Sequence, residues 1–188
     1  WLACMALAAT GTLGHALAVD PGVTDKDVVV GHSITLQGGM NAYGVAAHQG
    51  MKLYFDNLNA AGGVNGRRVV LRTLDDDNKN ATAEANARKL VQEGAFVLFG
   101  SVEGGPSTAV MKVAGERRVP FFGPMAGPPA LRRPYQEWVF PVRAEHRDEF
   151  RALMAWGKGI GLKTVAFLHV DGANGREHLQ NVTLIAKE

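Results

Sequence analysis

Apolar residues along this chain follow two alternating rhythms. Val28, Val29, Val30 and Ile34 make a short, β-branched run of buried-strand length. Ala47, Met51, Tyr54, Phe55 and Leu58 then fall at i, i+4, i+7, i+8 and i+11, one stripe of a helix. Gly62-Gly63 closes that helix, because glycine accepts the left-handed conformation of a C-terminal cap. Residues 69–74 supply the next strand. A strand–helix–strand unit of this length predicts a parallel pair. The alternation continues with a helix over 80–92 (Ala83, Ala87, Leu90 and Val91 on one face) and a strand over 96–99. A helix over 106–117 opens on Pro106, followed by a strand over 119–122 and a short extended segment over 138–142. The expected architecture is α/β, a doubly wound parallel sheet with right-handed crossovers.

A second unit is expected after a hinge at 143–147. A helix over 145–157 runs through Phe150, Leu153 and Met154, a strand over 164–169 follows, and a helix over 176–186 runs through Leu179, Val182 and Ile185. One strand and two helices do not make a lobe. The expected division is a first unit at 25–143 and an incomplete second unit at 144–188. Residues 1–18 hold no Asp, Glu, Lys or Arg and end in Ala16-Leu17-Ala18, a small-x-small cleavage pattern. They are expected to be a partial signal peptide lacking its basic leading segment, and the chain a fragment of a longer reading frame. The apolar run is too short for a membrane anchor, which needs about 20 residues. Cys4, the single cysteine, lies in this leader. Trp1-Leu2-Ala3 is a poor lead-in for lipid attachment, and a mature chain without cysteine has no disulfide or thiol chemistry.

A chain of 188 residues with 46% hydrophobic content can bury one full core or parts of two. Net charge is +2 and the basic residues are scattered. Nucleic-acid binding would need a basic stripe, so it is excluded as an expectation.

Motifs for catalysis are near misses. Gly31-His32-Ser33-Ile34-Thr35 has a serine where a nucleophile elbow would, but Thr35 replaces the closing glycine and Ser33 sits within a strand. Asp75-Asp76-Asp77-Asn78 lacks the alternate acids, glycine and distal glutamate of a calcium loop. It is expected to be a strand end whose carboxylates favour the next helix. In residues 157–164 Leu162 breaks both phosphate-loop and dinucleotide glycine spacings. His32, His48, His146, His169 and His178 show no metal-ligand spacing. The chain is expected to be no enzyme, with no metal and no cofactor.

Three loops follow strands on the side where such sheets bind ligands. Residues 37–44 carry Tyr43, an aromatic wall with a hydroxyl tip. Residues 101–108 contain Gly104, Gly105, Ser107 and Thr108, where glycines allow close backbone approach and a helix N-terminus offers free N–H groups. Residues 123–127, with Met125, Ala126 and Gly127, complete the wall.

The segments "GMKLYFDNLNAAGGVNGRRV", "LDDD", "FVLFGSVEGGPSTAV", "VPFFGPMAG" and "VFPVRAEHRDEF", in that order from 50 onward, resemble periplasmic substrate-binding proteins of branched-chain amino acid-type ABC importers. The resemblance covers about 25–188. It implies a type I clamshell, a monomeric extracytoplasmic receptor, a small-molecule ligand of amino-acid or related type, hinge closure on binding, and docking on a membrane permease. The alternative is a ligand-sensing domain of the same fold in a signalling system. Placed residue by residue, hydroxyl positions of the family fall on Gly104 and Gly127, a small residue on Met125, and a lobe-closing aromatic on Asn174. Weak leucine, isoleucine and valine binding is therefore expected, with the anionic end of a different ligand received by Gly104-Gly105.

Overall fold

The structure, a computed structural model, describes residues 20–37, 41–169 and 171–188, with the side chains of Asn41, Ala173 and Asn174 outside that description. The expected signal peptide, 1–18, lies outside the described residues. Five strands form one parallel sheet: β1 (Asp27–Ile34), β2 (Arg68–Asp75), β3 (Val97–Phe99), β4 (Phe121–Phe122) and β5 (Val139–Phe140). Their order is β2-β1-β3-β4-β5, with every neighbouring pair parallel. β1 is an interior strand, flanked by β2 and β3, and is buried from Val29 to Ile34, which explains its apolar start. The connections are α1 (Asn41–Ala60), α2 (Asn80–Gln92) and α3 (Gly104–Arg117). After β5 come α4 (His146–Gly159) and α5 (Ala173–Ile185), which pack on each other.

The core lies where α2 and α3 cover the sheet. Ala83, Ala87 and Leu90 of α2 meet Val110, Val113 and Ala114 of α3 over Leu98, Phe121 and Val139. Alanine at two of the three α2 positions brings that helix close to its neighbours without steric conflict. β2 forms one edge of the sheet. Val69 there donates its N–H to Asn59 Oδ1 at 2.8 Å and accepts from Asn59 Nδ2 at 2.8 Å, so one amide side chain takes the place of a neighbouring strand.

Two expectations are corrected. Residues 164–169 form no strand: the segment takes no place in the five-stranded sheet, and Leu168 is almost fully exposed. A β-branched run supplies propensity, but a strand exists only by pairing. The helix expected from Pro106 starts two residues earlier, at Gly104, so Pro106 falls inside its first turn, where a missing N–H is still tolerated.

Candidate functional site

The order β2-β1-β3 places the topological switch between β1 and β3, since the chain winds one way to β2 and the other way to β3, β4 and β5. A crevice forms at such a point beyond the carboxyl ends of the strands. A cavity of about 240 Å³ lies there. Its walls come from Tyr43 after β1, Val102 to Gly104 after β3, Ala126 to Pro129 after β4, and Arg143 after β5. His146 of α4, with Glu177 and His178 of α5, completes it.

Tyr43 is held at this edge by its neighbour. A Cβ on Gly44 would stand 1.8 Å from the Thr35 carbonyl oxygen, so only glycine lets the first turn of α1 press against the end of β1. The ring of Tyr43 is left half-exposed at the cavity.

The wall formed by 126–129 is pinned by Arg132. Its guanidinium donates to the Pro128 carbonyl at 3.1 Å, the Ala126 carbonyl at 3.2 Å and the Arg143 carbonyl. The start of α4 is tied to the same loop, with the His146 N–H donating to the Gly127 carbonyl at 3.1 Å. The His146 ring occupies the space beside Gly127: a Cβ there would lie 2.1 Å from His146 Cδ2. Gly104 is similarly faced by Pro128, whose Cγ would be 3.1 Å from an added Cβ. Other groups therefore fill the space that side chains at these two positions would take.

The electrostatics divide into engaged and free groups. Arg143 is clasped by Glu149 through two bonds, Nε to Oε1 at 2.7 Å and Nη2 to Oε2 at 2.8 Å, which keeps the guanidinium firmly charged. His146 Nδ1 and His178 Nε2 share a hydrogen bond of 2.8 Å, their rings edge to face. Burial, then the neighbouring His178 and Arg143, lower the His146 pKa. Glu103 stands at the N-cap of α3, yet its carboxylate bonds no helix N–H. Burial, then the nearby Asp76 carboxylate, raise its pKa.

Among the residues singled out from sequence, Tyr43, Gly104, Ala126 and Gly127 line the cavity together. Gly105 faces Asn80 Oδ1, and Ser107 is buried with its hydroxyl donating to Ser101 Oγ at 2.9 Å. Thr108 Oγ1 donates to the Gly104 carbonyl at 2.9 Å, and the Met125 N–H to the Ser101 carbonyl at 2.9 Å. These four support the loops that form the wall. Asn174 belongs to α5, but its side chain lies outside the described residues. Sequence reasoning missed Glu103, Arg143, His146, Glu177 and His178. Glu103 alone carried a legible signal, an acid at the mouth of the glycine turn already singled out.

The near-miss motifs resolve as scaffold. Thr35 Oγ1 donates to Asp76 Oδ1 at 2.7 Å and Ser33 Oγ to Asp76 Oδ2 at 3.3 Å, while Asn86 Nδ2 reaches Ser33 Oγ at 3.3 Å. Ser33 is thus a buried strut near the end of β1, tied to Asp76 just beyond β2. No group of three or more metal-ligating side chains is placed to hold an ion among the described residues.

A doubly wound parallel sheet with a lined cavity at its switch point defines a small-molecule-binding α/β domain. The chain belongs to the family described as periplasmic binding protein, which it matches over residues 27–188. It is 31% identical over 170 residues to the Leu/Ile/Val-binding protein BraC3 of Rhizobium johnstonii, an alignment covering 89% of this chain and 46% of the relative. A substrate-binding periplasmic protein from Ralstonia solanacearum superposes with a TM-score of 0.77 at 30% identity, covering 86% of this chain and 46% of the other. The branched-chain amino acid transporter substrate binding protein LivJ of Streptococcus pneumoniae, solved with isoleucine, gives a TM-score of 0.58 at 25% identity, covering 65% of this chain and 35% of the other. The chain spans about half the length of the curated relatives it matches most fully. The family is one of substrate-binding proteins that work outside the cytoplasm.

Proposed function

We propose that this chain forms the first lobe, residues 25–143, and the opening of the second, 144–188, of a receptor for an ABC importer. It takes up a small molecule and delivers it to a membrane permease. The observation that carries this reading is the cavity at the carboxyl edge of the sheet, walled by Tyr43 and Gly104 on one side of the chain and by His146 and His178 on the other. A ligand touching both sets of residues would stabilise the arrangement that brings them together, and closure about residues near 143 follows from that differential contact. The leader at 1–18 is proposed to direct export, with the mature chain beginning near Val19. No step of this function requires a catalytic group or cofactor.

The test is native mass spectrometry of the protein as purified, followed by calorimetry with any small molecule found. Tyr43→Ala should weaken that ligand by about tenfold or more, since an aromatic wall contributes about 1 kcal/mol beyond its burial. Ser33→Ala, remote from the cavity, should leave affinity unchanged. Turnover of the ligand, or binding indifferent to Tyr43→Ala, would contradict the proposal.

A further inference from the structure

We propose that this cavity selects a ligand carrying a cationic nitrogen group, an ammonium or an amidinium, held by the Glu103 carboxylate beside Tyr43, with Glu177 adding a second negative charge. The inference rests on the cavity being the ligand site and extends that reading to the ligand's charge.

The argument is one of unpartnered charge. Besides Tyr43, the ionisable groups lining the cavity are Glu103, Arg143, His146, Glu177 and His178. The basic members are engaged within the protein: Glu149 clasps Arg143, and the two imidazoles bond each other. Arg132, behind the wall, is committed to three carbonyl oxygens. Neither the Glu103 nor the Glu177 carboxylate has a hydrogen-bonding or ion-pair partner among the described residues. The groups left free to meet a ligand's charge are therefore both acidic.

Glu103 is the stronger of the two. It is partly buried, and Asp76 at the end of β2 adds a further negative charge nearby. A carboxylate withdrawn from water without a partner is destabilising, and a cation entering the cavity relieves that. An anion would meet Glu103, Glu177 and the field of Asp76 while every nearby cation is already neutralised or tied. Glu103 stands at the N-cap of α3, beside the partial positive charge of the helix end, without bonding its N–H groups. This reverses the expectation of an anionic end at Gly104-Gly105, because Gly105 faces Asn80 and Glu103 takes the adjoining place at the cavity. Tyr43 brings an aromatic ring to the same wall, where a cation gains from the ring's electron-rich face. A volume of about 240 Å³ has room for roughly one ring with a short side group.

The experiment is calorimetric titration with four probes of one ring and different heads: benzylammonium, benzamidinium, benzamide and benzoate. Each is run on the protein and on Glu103→Gln and Tyr43→Ala, with circular dichroism melting to show that the variants fold. The expected result is that both cationic probes bind at least about tenfold more tightly than benzamide and benzoate. Glu103→Gln should remove most of that preference and leave benzamide within about twofold. A preference for benzoate that Tyr43→Ala weakens would keep the cavity as the site but overturn the cation. A cation preference that survives Glu103→Gln would overturn the role of that residue. Binding untouched by Tyr43→Ala would place the probes elsewhere and fail the site reading itself, and no binding by any probe overturns the inference.

Discussion

At the scale of single residues, glycine marks where other groups have taken space. Gly127→Ala would drive a Cβ to 2.1 Å from His146 Cδ2, forcing the imidazole away and straining its bond to His178. Overpacking of this kind costs about 1–3 kcal/mol. Gly104→Ala meets only Pro128 Cγ at 3.1 Å, and should cost less than about 1 kcal/mol. Urea denaturation of the two variants checks the order, and equal losses would remove the role given to His146. His32 makes a second prediction. Its Nδ1–H donates to the Phe99 carbonyl at 2.7 Å, while Nε2 is buried without a partner and His48 stacks on the ring. Burial first, then His48, lower its pKa from 6.5 to about 4, against the favourable bond to Phe99. The unfolded chain therefore takes up a proton that the folded chain refuses as pH falls from 6.5 toward 4. Stability contributed by neutral His32 is fully present above 6.5 and declines through that window by about 3 kcal/mol, then levels off below it. His32→Gln should flatten this part of the stability profile measured by urea melts. An unchanged slope would mean that another group carries it.

At the scale of elements, the strands depend on partners that the hydrophobic pattern does not name. β2 is an edge strand whose Val69 backbone is served by Asn59. Asn59→Ala should leave that N–H and carbonyl without their pairing and lower stability by about 1–2 kcal/mol, read from the denaturant midpoint. A loss below about 0.3 kcal/mol would mean water replaces the amide. Nothing in the segment "DNLNAAGG" marks Asn59 for this role, because its partner lies across a turn. Residues 164–169 show the converse. Their apolar pattern is strand-like, yet they take no place in the sheet.

At the scale of the whole molecule, the two faces of the sheet differ. α2 and α3 bury one face. On another part of the sheet Phe99, Phe122 and Phe140 form a row with ring centroids 6.3 and 6.5 Å apart, and Phe122 and Phe140 are about half exposed at 51% and 46%. Contiguous apolar surface of this kind attracts apolar dyes. The 188-residue chain should raise the fluorescence of such a dye, and Phe122→Ser with Phe140→Ser should abolish most of the rise. Neither ring belongs to the buried core. Persistence of the signal would assign it to the apolar residues of α4, where Leu153 and Trp156 are also exposed.

The alternation of strand and helix periods determined the α/β class, the parallel sheet and the loops that border the cavity, because each depends on contacts between residues close in sequence. Tyr43, Gly104, Ala126 and Gly127 were legible for the same reason: each sits in the loop or first helical turn that follows a predicted strand. Only the tertiary structure decided which groups meet there. His146 and His178 are 32 positions apart and join only when α4 and α5 pack. Glu103 is free while Arg143 is not, a difference that depends on where Glu149 sits one helical turn into α4. Local pattern records the periodicity of the backbone; the charge balance of a pocket is a sum over side chains brought together from distant segments, and no stretch of sequence contains it.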